Sequence, residues 1–324
     1  MSDIHLPAEW APIERIYTAW PWRRREWREP LGRAQSEVAA FAKAVAKGGT
    51  AITLLVPDKR VETAAREQVG DAPVDIARTR YGDIWLRDTS PLFHAEGAAA
   101  FQFNGWGEKF VMPGDERVAA MLAKREDVAL TKHDMVLEGG AIDHDGTGLA
   151  ITTEQCLLNP NRNGDISREG VEKVLAEALG LTRVVWLGRG LAGDHTDGHI
   201  DNLARFVAPG KVVLPQALDT DDPNSMVYES AAATLDEAGI ETVRIPSAGL
   251  VKDEEGKPMP ASYMNFVLTN ERVIIPTYRS SYDDRAVDML GQLFPDRDAI
   301  GLGAKAILSG GGAFHCMTRE VPAI

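Results

Sequence analysis

Residues 141–153 read Ala141-Ile142-Asp143-His144-Asp145-Gly146-Thr147-Gly148-Leu149-Ala150-Ile151-Thr152-Thr153, two short apolar runs around an Asp-Gly dipeptide. Asp-Gly suits a tight turn because its glycine accepts positive φ, so the stretch predicts a β-hairpin. An amphipathic stretch at 168–179 then predicts a helix, and 184–187 a further strand. The order hairpin, helix, strand recurs in both directions. Upstream, 91–103 is split by Glu96-Gly97 and precedes a helical stretch at 115–124 and a short strand near Val128. Downstream, 203–214 turns at Pro209-Gly210 before a helix near 225–238 and a strand at 242–245. The next copy is 265–276 with its turn at Asn270-Glu271, a helix at 284–293 and a strand near 299–302. Half a unit remains at each end: 306–318, and 16–20 with a helix at 31–47 and a strand at 52–56. Joined, the halves make a fifth unit.

Five units of about 65 residues predict an α/β fold over 1–324, a single domain built as a ring of five blades. Pairing of the terminal strands would close the ring and remove exposed sheet edges. An ordinary α/β domain without the repeat is the alternative. A content of 44% hydrophobic and 26% charged residues is that of a folded globular chain rather than a disordered one. No apolar run approaches the roughly 18 residues of a membrane span. The start, MSDIHLPAEW, lacks a charged-then-apolar leader, so a cytoplasmic protein is expected. Two cysteines are too few for a disulfide framework. With 48 acidic against 35 basic residues the formal charge is −13, which disfavours nucleic acid and suits a small cationic substrate.

Chemistry-bearing residues stand just before or inside each hairpin. They are Gly82-Asp83-Ile84-Trp85-Leu86-Arg87-Asp88, Glu138-Gly139-Gly140, the run from Gly193 to Asp201, Ser262-Tyr263, and Gly310-Gly311-Gly312 ahead of Cys316. Equivalent positions of radially repeated units lie near the axis, so Asp88, Glu138, His199, Asp201 and Cys316 are expected to converge on one cavity. Cys316 is the candidate nucleophile; a small buried hydrophobe is the plainer alternative for any free cysteine. Cys156 reads as core packing. On an extended strand His199 and Asp201 would face the same side, a general acid/base beside a carboxylate. The alternative is a strand-end histidine satisfied by turn groups.

The same run invites a metal rival through Asp194, His195, Asp197, His199 and Asp201. His195 and His199 have the i, i+4 spacing of a helical zinc site, but Gly198 and the missing Glu after His195 argue against that helix, so no metal is expected. Asp143-His144-Asp145-Gly146 opens like a calcium loop without its distal Glu, and fits a hairpin turn. Asp88 suits a forked cation, with Trp85 as an apolar or cation–π wall; Arg87-Asp88 as a surface ion pair is the alternative. Asn104-Gly105-Trp106-Gly107 is either a loop over the cavity or a packed turn. The aromatic and basic stretch 20–28 reads as a helix-entry surface rather than an RNA-binding strip. Gly301-Leu302-Gly303 lacks the rest of a dinucleotide fingerprint.

Together these residues resemble a known family. Leu6-Pro7-Ala8-Glu9-Trp10, Ala19-Trp20-Pro21, Trp85-Leu86-Arg87-Asp88 with Pro91, and Phe103-Asn104-Gly105-Trp106-Gly107 carry the first part of the likeness. Glu138-Gly139-Gly140, Thr196-Asp197-Gly198-His199-Ile200-Asp201-Asn202, Ser262-Tyr263-Met264-Asn265-Phe266, and Gly311-Gly312 with His315-Cys316 carry the rest. The chain is similar, over nearly its whole length, to the agmatine deiminases of the porphyromonas-type peptidyl-arginine deiminase family, within the guanidine-modifying pentein superfamily. The resemblance implies a five-bladed pseudo-symmetric α/β propeller. It also implies Cys316 as nucleophile, His199 as acid/base and Glu138 as the acid beside it. Asp88 and Asp201 would grip the guanidinium, with Trp85 as a substrate wall.

The implied reaction is agmatine plus water to N-carbamoylputrescine plus ammonia through an amidino-thioether on Cys316, with no metal or organic cofactor. A thiol among carboxylates should resist ionisation, so the bound guanidinium is expected to stabilise the thiolate. Ala313 stands where many agmatine deiminases have Asn, and the chain carries less inserted loop than longer members. Both departures bear on substrate identity more than on reaction class. Peptidyl-arginine or another alkylguanidine is therefore the nearest alternative substrate. A metallohydrolase using His195 and His199, or a non-catalytic pentein binding protein, would be the rival from another class. Homodimers are common among relatives, though no segment here marks an interface.

Overall fold

The hairpin at the Asp-Gly dipeptide forms as expected. Ile142 lies opposite Thr152 and His144 opposite Ala150 in antiparallel register. Gly146 takes φ +77°, and Asp145 Oδ1 accepts from the Thr147 N–H and hydroxyl at 2.8 Å each. The computed structural model describes residues 4–323. Met1-Ser2-Asp3 and Ile324, the outermost part of the 1–324 span, lie outside the described residues.

Five sheets make up the mixed α/β fold among the described residues. The first joins β1 (Ile13–Ala19), β2 (Ala51–Val56) and β3 (Asp75–Arg78) to the last strand, β16 (Thr318–Pro322), in the order β16-β1-β2-β3. The others are β4 (Leu92–His94), β5 (Gly97–Gln102), β6 (Leu130–Val136); β7 (Ile142–His144), β8 (Leu149–Thr153), β9 (Arg183–Leu187); β10 (Arg205–Ala208), β11 (Lys211–Gln216), β12 (Glu241–Pro246); and β13 (Val267–Leu268), β14 (Arg272–Thr277), β15 (Asp298–Gly303). In each of these four the first pair is antiparallel and the second parallel. A parallel pair needs a crossover. Helices Val118–Arg125, Arg168–Leu179, Ser225–Glu237 and Asp283–Leu293 lie in those crossovers, near where hydrophobic periodicity puts them. The first sheet follows the same rule with its hairpin split between the chain ends. β16 runs antiparallel to β1, with Glu320 opposite Ile16, and the helix Leu31–Ala46 leads to β2, parallel to β1.

Four local expectations give way. The helix Lys59–Val69, capped by Asp58 accepting from Val61 N–H at 2.9 Å, and β3 extend the first sheet beyond the repeat. The strand expected near Val128 starts at Leu130, because Val128 N–H still bonds Ala123 O at the end of its helix. The stretch 306–318 is a helical turn, Lys305–Leu308, and an irregular turn through the glycines, with strand only from Thr318. A glycine run has no side chains to pack across a strand. Ile200–Asn202, expected as strand, is a 3-10 turn.

Packing fixes that glycine turn. The helix Leu31–Ala46 buries Val38, Phe41 and Val45 against the sheets. Phe41 stacks on Phe314 at 4.9 Å between centroids, and Glu37 accepts the Ala306 and Ile307 N–H groups at 3.0 and 2.8 Å. Adjacent sheets are joined by acids from the Asp-Gly hairpin: Asp143 Oδ2 accepts from Phe206 N–H at 2.7 Å and Asp145 Oδ2 from Gly210 N–H at 3.0 Å. No helix among the described residues is long and apolar enough to cross a membrane.

Gly190 and Gly198 press backbone to backbone; a Cβ on Gly190 would stand 2.2 Å from Gly198 Cα, whereas one on Gly188 meets nothing within 4 Å. Gly190→Ala should therefore lower unfolding stability by about 2 kcal/mol. Thermal melts are expected to drop by several degrees for Gly190→Ala and by under about one degree for Gly188→Ala. Equal melting of the two variants would contradict this packing.

Candidate active site

Cys316 follows the glycine turn and lines a cavity of about 180 Å³. Asn265, in the 3-10 turn Tyr263–Asn265, clamps it at two points: Nδ2 lies 3.1 Å from Sγ and Oδ1 accepts the Cys316 N–H at 3.2 Å. Sγ is 3.5 Å from Asp201 Oδ2. The Cys316 carbonyl accepts from Arg87 N–H at 3.0 Å, which ties the cysteine's turn to the helical turn Leu86–Thr89 carrying Asp88, with Trp85 at its start. Gly312 lets the Trp85 ring close on this turn, since a Cβ there would lie 2.8 Å from both Trp85 Cζ3 and Cys316 Cβ.

Asp88, His199 and Asp201 converge over Gly140. A Cβ on that glycine would be 2.7 Å from His199 Nδ1, 3.0 Å from Asp201 Oδ2 and 3.1 Å from Asp88 Oδ1, so any side chain there would occupy the meeting point. Asp88 Oδ1 accepts the Gly140 N–H at 2.9 Å and Oδ2 the Trp106 Nε1–H at 2.8 Å. His199 Nδ1 stands 3.8 Å from Asp88 Oδ1. Glu138 and His199 are both fully buried, and their ligand atoms and Cys156 Sγ lie within 4.8 Å of one another. Arg162 donates to Glu138 Oε1 at 2.8 Å and to Thr196 O at 2.8 Å, and pairs with Asp197, so it joins Glu138 to the loop that precedes His199. Glu138 Oε2, both ring nitrogens of His199 and Asp201 Oδ1 have no protein hydrogen-bond partner. Buried polar atoms are rarely left so.

Asp201 is held from behind. His315 Nδ1 lies 2.8 Å from Asp201 Oδ2, and its Nε2 lies 2.9 Å from Glu9 Oε1. Glu9 also receives Arg87 Nη1 at 3.0 Å and pairs with Arg205. Burial opposes ionisation of Asp201, but the His315 hydrogen bond and the charges of His315, His199 and Arg205 outweigh it and hold the carboxyl below its usual range. Glu9 is held well below its range in the same way, burial being outweighed by Arg205, His315 and Arg87. For Cys316 every large influence points upward: burial first, then Asp201 and Asp88, against smaller contributions from the Ala313 backbone and Asn265. Burial would lower His199, yet Asp88, Cys156 and Glu138 raise it well above the usual imidazole value. Both shifts favour the protonated forms, of the thiol and of the imidazole.

All six residues singled out in the sequence gather here. Cys316, Asp88 and Trp85 line the cavity, while His199, Asp201 and Glu138 lie fully buried near them. His199 and Asp201 converge by way of a 3-10 turn rather than as alternate residues of a strand. Arg87 is no surface partner of Asp88; it is 2% exposed and pairs with Glu9 and Glu320. Asn104-Gly105-Trp106-Gly107 is both a packed turn and part of the lining: Trp106 is buried against Asp88, and residues 105–108 all take positive φ. His195 lines the cavity, but among the described residues the three-ligand grouping is Glu138, Cys156 and His199, without His195 or the aspartates of its loop. Cys156 is buried in the core as expected, and in addition borders His199.

Asn265, His315, Glu9 and Arg162 had no role in the sequence reading. Asn265, His315 and Glu9 sit inside motifs that stand out by resemblance, and a polar residue between Met264 and Phe266 is the one local signal for Asn265.

The family model for Porphyromonas-type peptidyl-arginine deiminase matches residues 5–322. The agmatine deiminase of Stutzerimonas stutzeri (strain A1501) is 34% identical, covering 99% of this chain and 96% of that protein. Among solved structures, the agmatine deiminase of Enterococcus faecalis superposes with a TM-score of 0.92 at 29% identity, covering 98% of this chain and 96% of that one. A substrate-bound agmatine deiminase of C. jejuni gives 0.90 at 29% identity with the same coverage.

A raised thiol should react slowly with iodoacetamide near neutral pH in the ligand-free protein. Binding of a non-reactive guanidinium compound, a cation placed within a few ångströms of the sulfur, should move the midpoint of the alkylation pH profile down by about one unit or more. An unmoved midpoint, or a fast-reacting thiol in the ligand-free protein, would contradict the assigned electrostatics.

Proposed function

The chain belongs to the Porphyromonas-type peptidyl-arginine deiminase family, and from that premise we propose a cysteine-dependent hydrolase that converts agmatine and water to N-carbamoylputrescine and ammonia. The observation that carries the mechanism is the pairing of a buried, unpartnered acceptor, Asp201 Oδ1, with a thiol 3.5 Å from the other oxygen of the same carboxylate. A guanidinium supplies the N–H donors that the acceptor lacks, and a cation that favours the thiolate. Asp88, converging on the same point above Gly140, takes a second edge of the planar group.

Entry of the cation releases the Cys316 proton to solvent. The sulfur then attacks the central carbon, and the guanidinium π electrons move onto nitrogen to give a neutral tetrahedral adduct. His199, charged and next to Asp88, gives its proton to an amino group, which leaves as ammonia; the carbon–sulfur bond remains in a cationic amidino-thioether. Neutral His199 takes a proton from water as the oxygen adds to that carbon. Collapse breaks the carbon–sulfur bond, returns the electron pair to Cys316, and frees the ureido product, whose extra proton passes to solvent and ammonia. Glu138 orients His199 and keeps its charged form favourable. Trp85 walls the alkyl chain. Positioning of this kind contributes up to roughly 7–11 kcal/mol when the geometry is near-ideal.

We also infer that the five sheets are the blades of a closed propeller and that 1–324 works as one catalytic domain. The repeated hairpin-helix-strand order and the β1–β16 pairing support both. Two buried free cysteines suit a reducing, cytoplasmic setting.

Ammonia release from agmatine, free arginine and a blocked peptidyl arginine tests the assignment. Agmatine should be turned over, and activity should survive exhaustive chelation and fall to background in Cys316→Ala. His199→Asn should lower kcat by about 10²–10⁴-fold. Inactivity on all three compounds, or loss of activity on chelation, would overturn the proposal.

A further inference from the structure

The cavity as a whole is one-sided in charge. Its lining holds three carboxylates, Glu26, Asp83 and Asp88, and no lysine or arginine. Two of the three are already engaged. Asp83 is buried, with Oδ1 accepting Trp27 Nε1–H at 2.9 Å and Oδ2 accepting Trp85 Nε1–H at 3.1 Å. Asp88 accepts from Gly140 and Trp106 as described. Glu26, on the helical turn Arg24–Trp27, is exposed and forms no ion pair within 4.0 Å among the described residues.

The same lining, which also holds Cys316, is rich in aromatic rings. Trp27 and Trp85 stack at 6.0 Å between centroids, fixed by their shared acceptor Asp83, and Trp106 and Phe110 add further ring surface. Gly310 leaves room for the pair, since a Cβ there would lie 2.6 Å from Trp27 and 3.0 Å from Trp85. Ring faces and an exposed, unpaired carboxylate in one lining match a methylene chain that ends in a cation. The volume of about 180 Å³ holds on the order of a dozen water-sized spheres, enough for the roughly nine heavy atoms of agmatine. A carboxylate on the tail, as in free arginine, would instead meet acids without a cation to receive it.

We propose that Glu26 is the subsite for the ammonium group at the far end of the substrate, and that it selects guanidines bearing a distal cation over those bearing a carboxylate there. This rests on the deiminase function proposed above. Glu26 would hold the ammonium and not the guanidinium, a uniform contribution to binding, so its removal shifts KM and leaves kcat in place.

The test is steady-state ammonia release by the unaltered enzyme, Glu26→Gln and Glu26→Asp on agmatine and on n-pentylguanidine, which replaces the ammonium by methyl. Glu26→Gln should raise KM for agmatine about five-fold, with kcat unchanged, and leave KM for n-pentylguanidine as it was. Glu26→Asp should recover part of the loss. With the unaltered enzyme, the preference in KM for agmatine over n-pentylguanidine should shrink as salt is raised, a readout that needs no variant. An unchanged agmatine KM in Glu26→Gln, or equal rises for both compounds, overturns the subsite while leaving the deiminase assignment intact. No ammonia from either compound with the unaltered enzyme overturns the assignment itself.

Discussion

A thiol enclosed by carboxylates does not ionise by itself, and the centre of this molecule is organised around that constraint. Cys316 sits 3.5 Å from Asp201 and within the field of Asp88, buried from water. In such surroundings a proton is retained until a positive charge arrives. The proposed substrate's guanidinium would meet the requirement, and its planar N–H groups would match the acceptors that raise the thiol. In the proposed mechanism one arrangement gives both recognition and activation: the carboxylates that suppress the free thiol bind the group that restores it. Loss of the thiol to oxidation or stray electrophiles in the empty enzyme is limited by the same means.

Keeping Asp201 ionised inside the protein takes a supporting layer. His315 bridges it to Glu9, and Glu9 is enclosed by Arg87 and Arg205. Buried charges are costly unless paired and hydrogen-bonded, and removing one partner from such a set is more damaging than its net contribution suggests. The participants come from the first residues of the chain, the first hairpin unit, the third, and the C-terminal segment. The β1–β16 pairing joins the segments that carry Glu9 and His315, which meet at 2.9 Å, and the second of them also carries Cys316, 3.5 Å from Asp201.

Much of this was legible in the sequence. The Asp145-Gly146 and Pro209-Gly210 turns and the 168–179 helix could be read because glycine conformation and 3.6-residue periodicity are local properties. So could the gathering of Cys316, His199, Glu138, Asp88 and Asp201, once the repeat placed them at equivalent points. The 3-10 turn at Ile200–Asn202 was missed because alternation over three residues carries no length signal, and tertiary contacts decided the conformation. Glu9 and His315 were unreadable as partners since 306 residues separate them. Arg87, beside Asp88 in sequence, looked like its partner, yet the helical turn sends the two side chains to different neighbours.

The account stands on a covalent bond between Cys316 and the guanidine carbon. Acid-quenching the enzyme within its first turnovers on agmatine, then mapping peptides by mass, tests that bond. The account predicts an adduct with the mass of agmatine less ammonia on the peptide containing Cys316, appearing before the product and decaying with it. Steady ammonia release with no adduct on that peptide, or with the mass on Cys156, would contradict it.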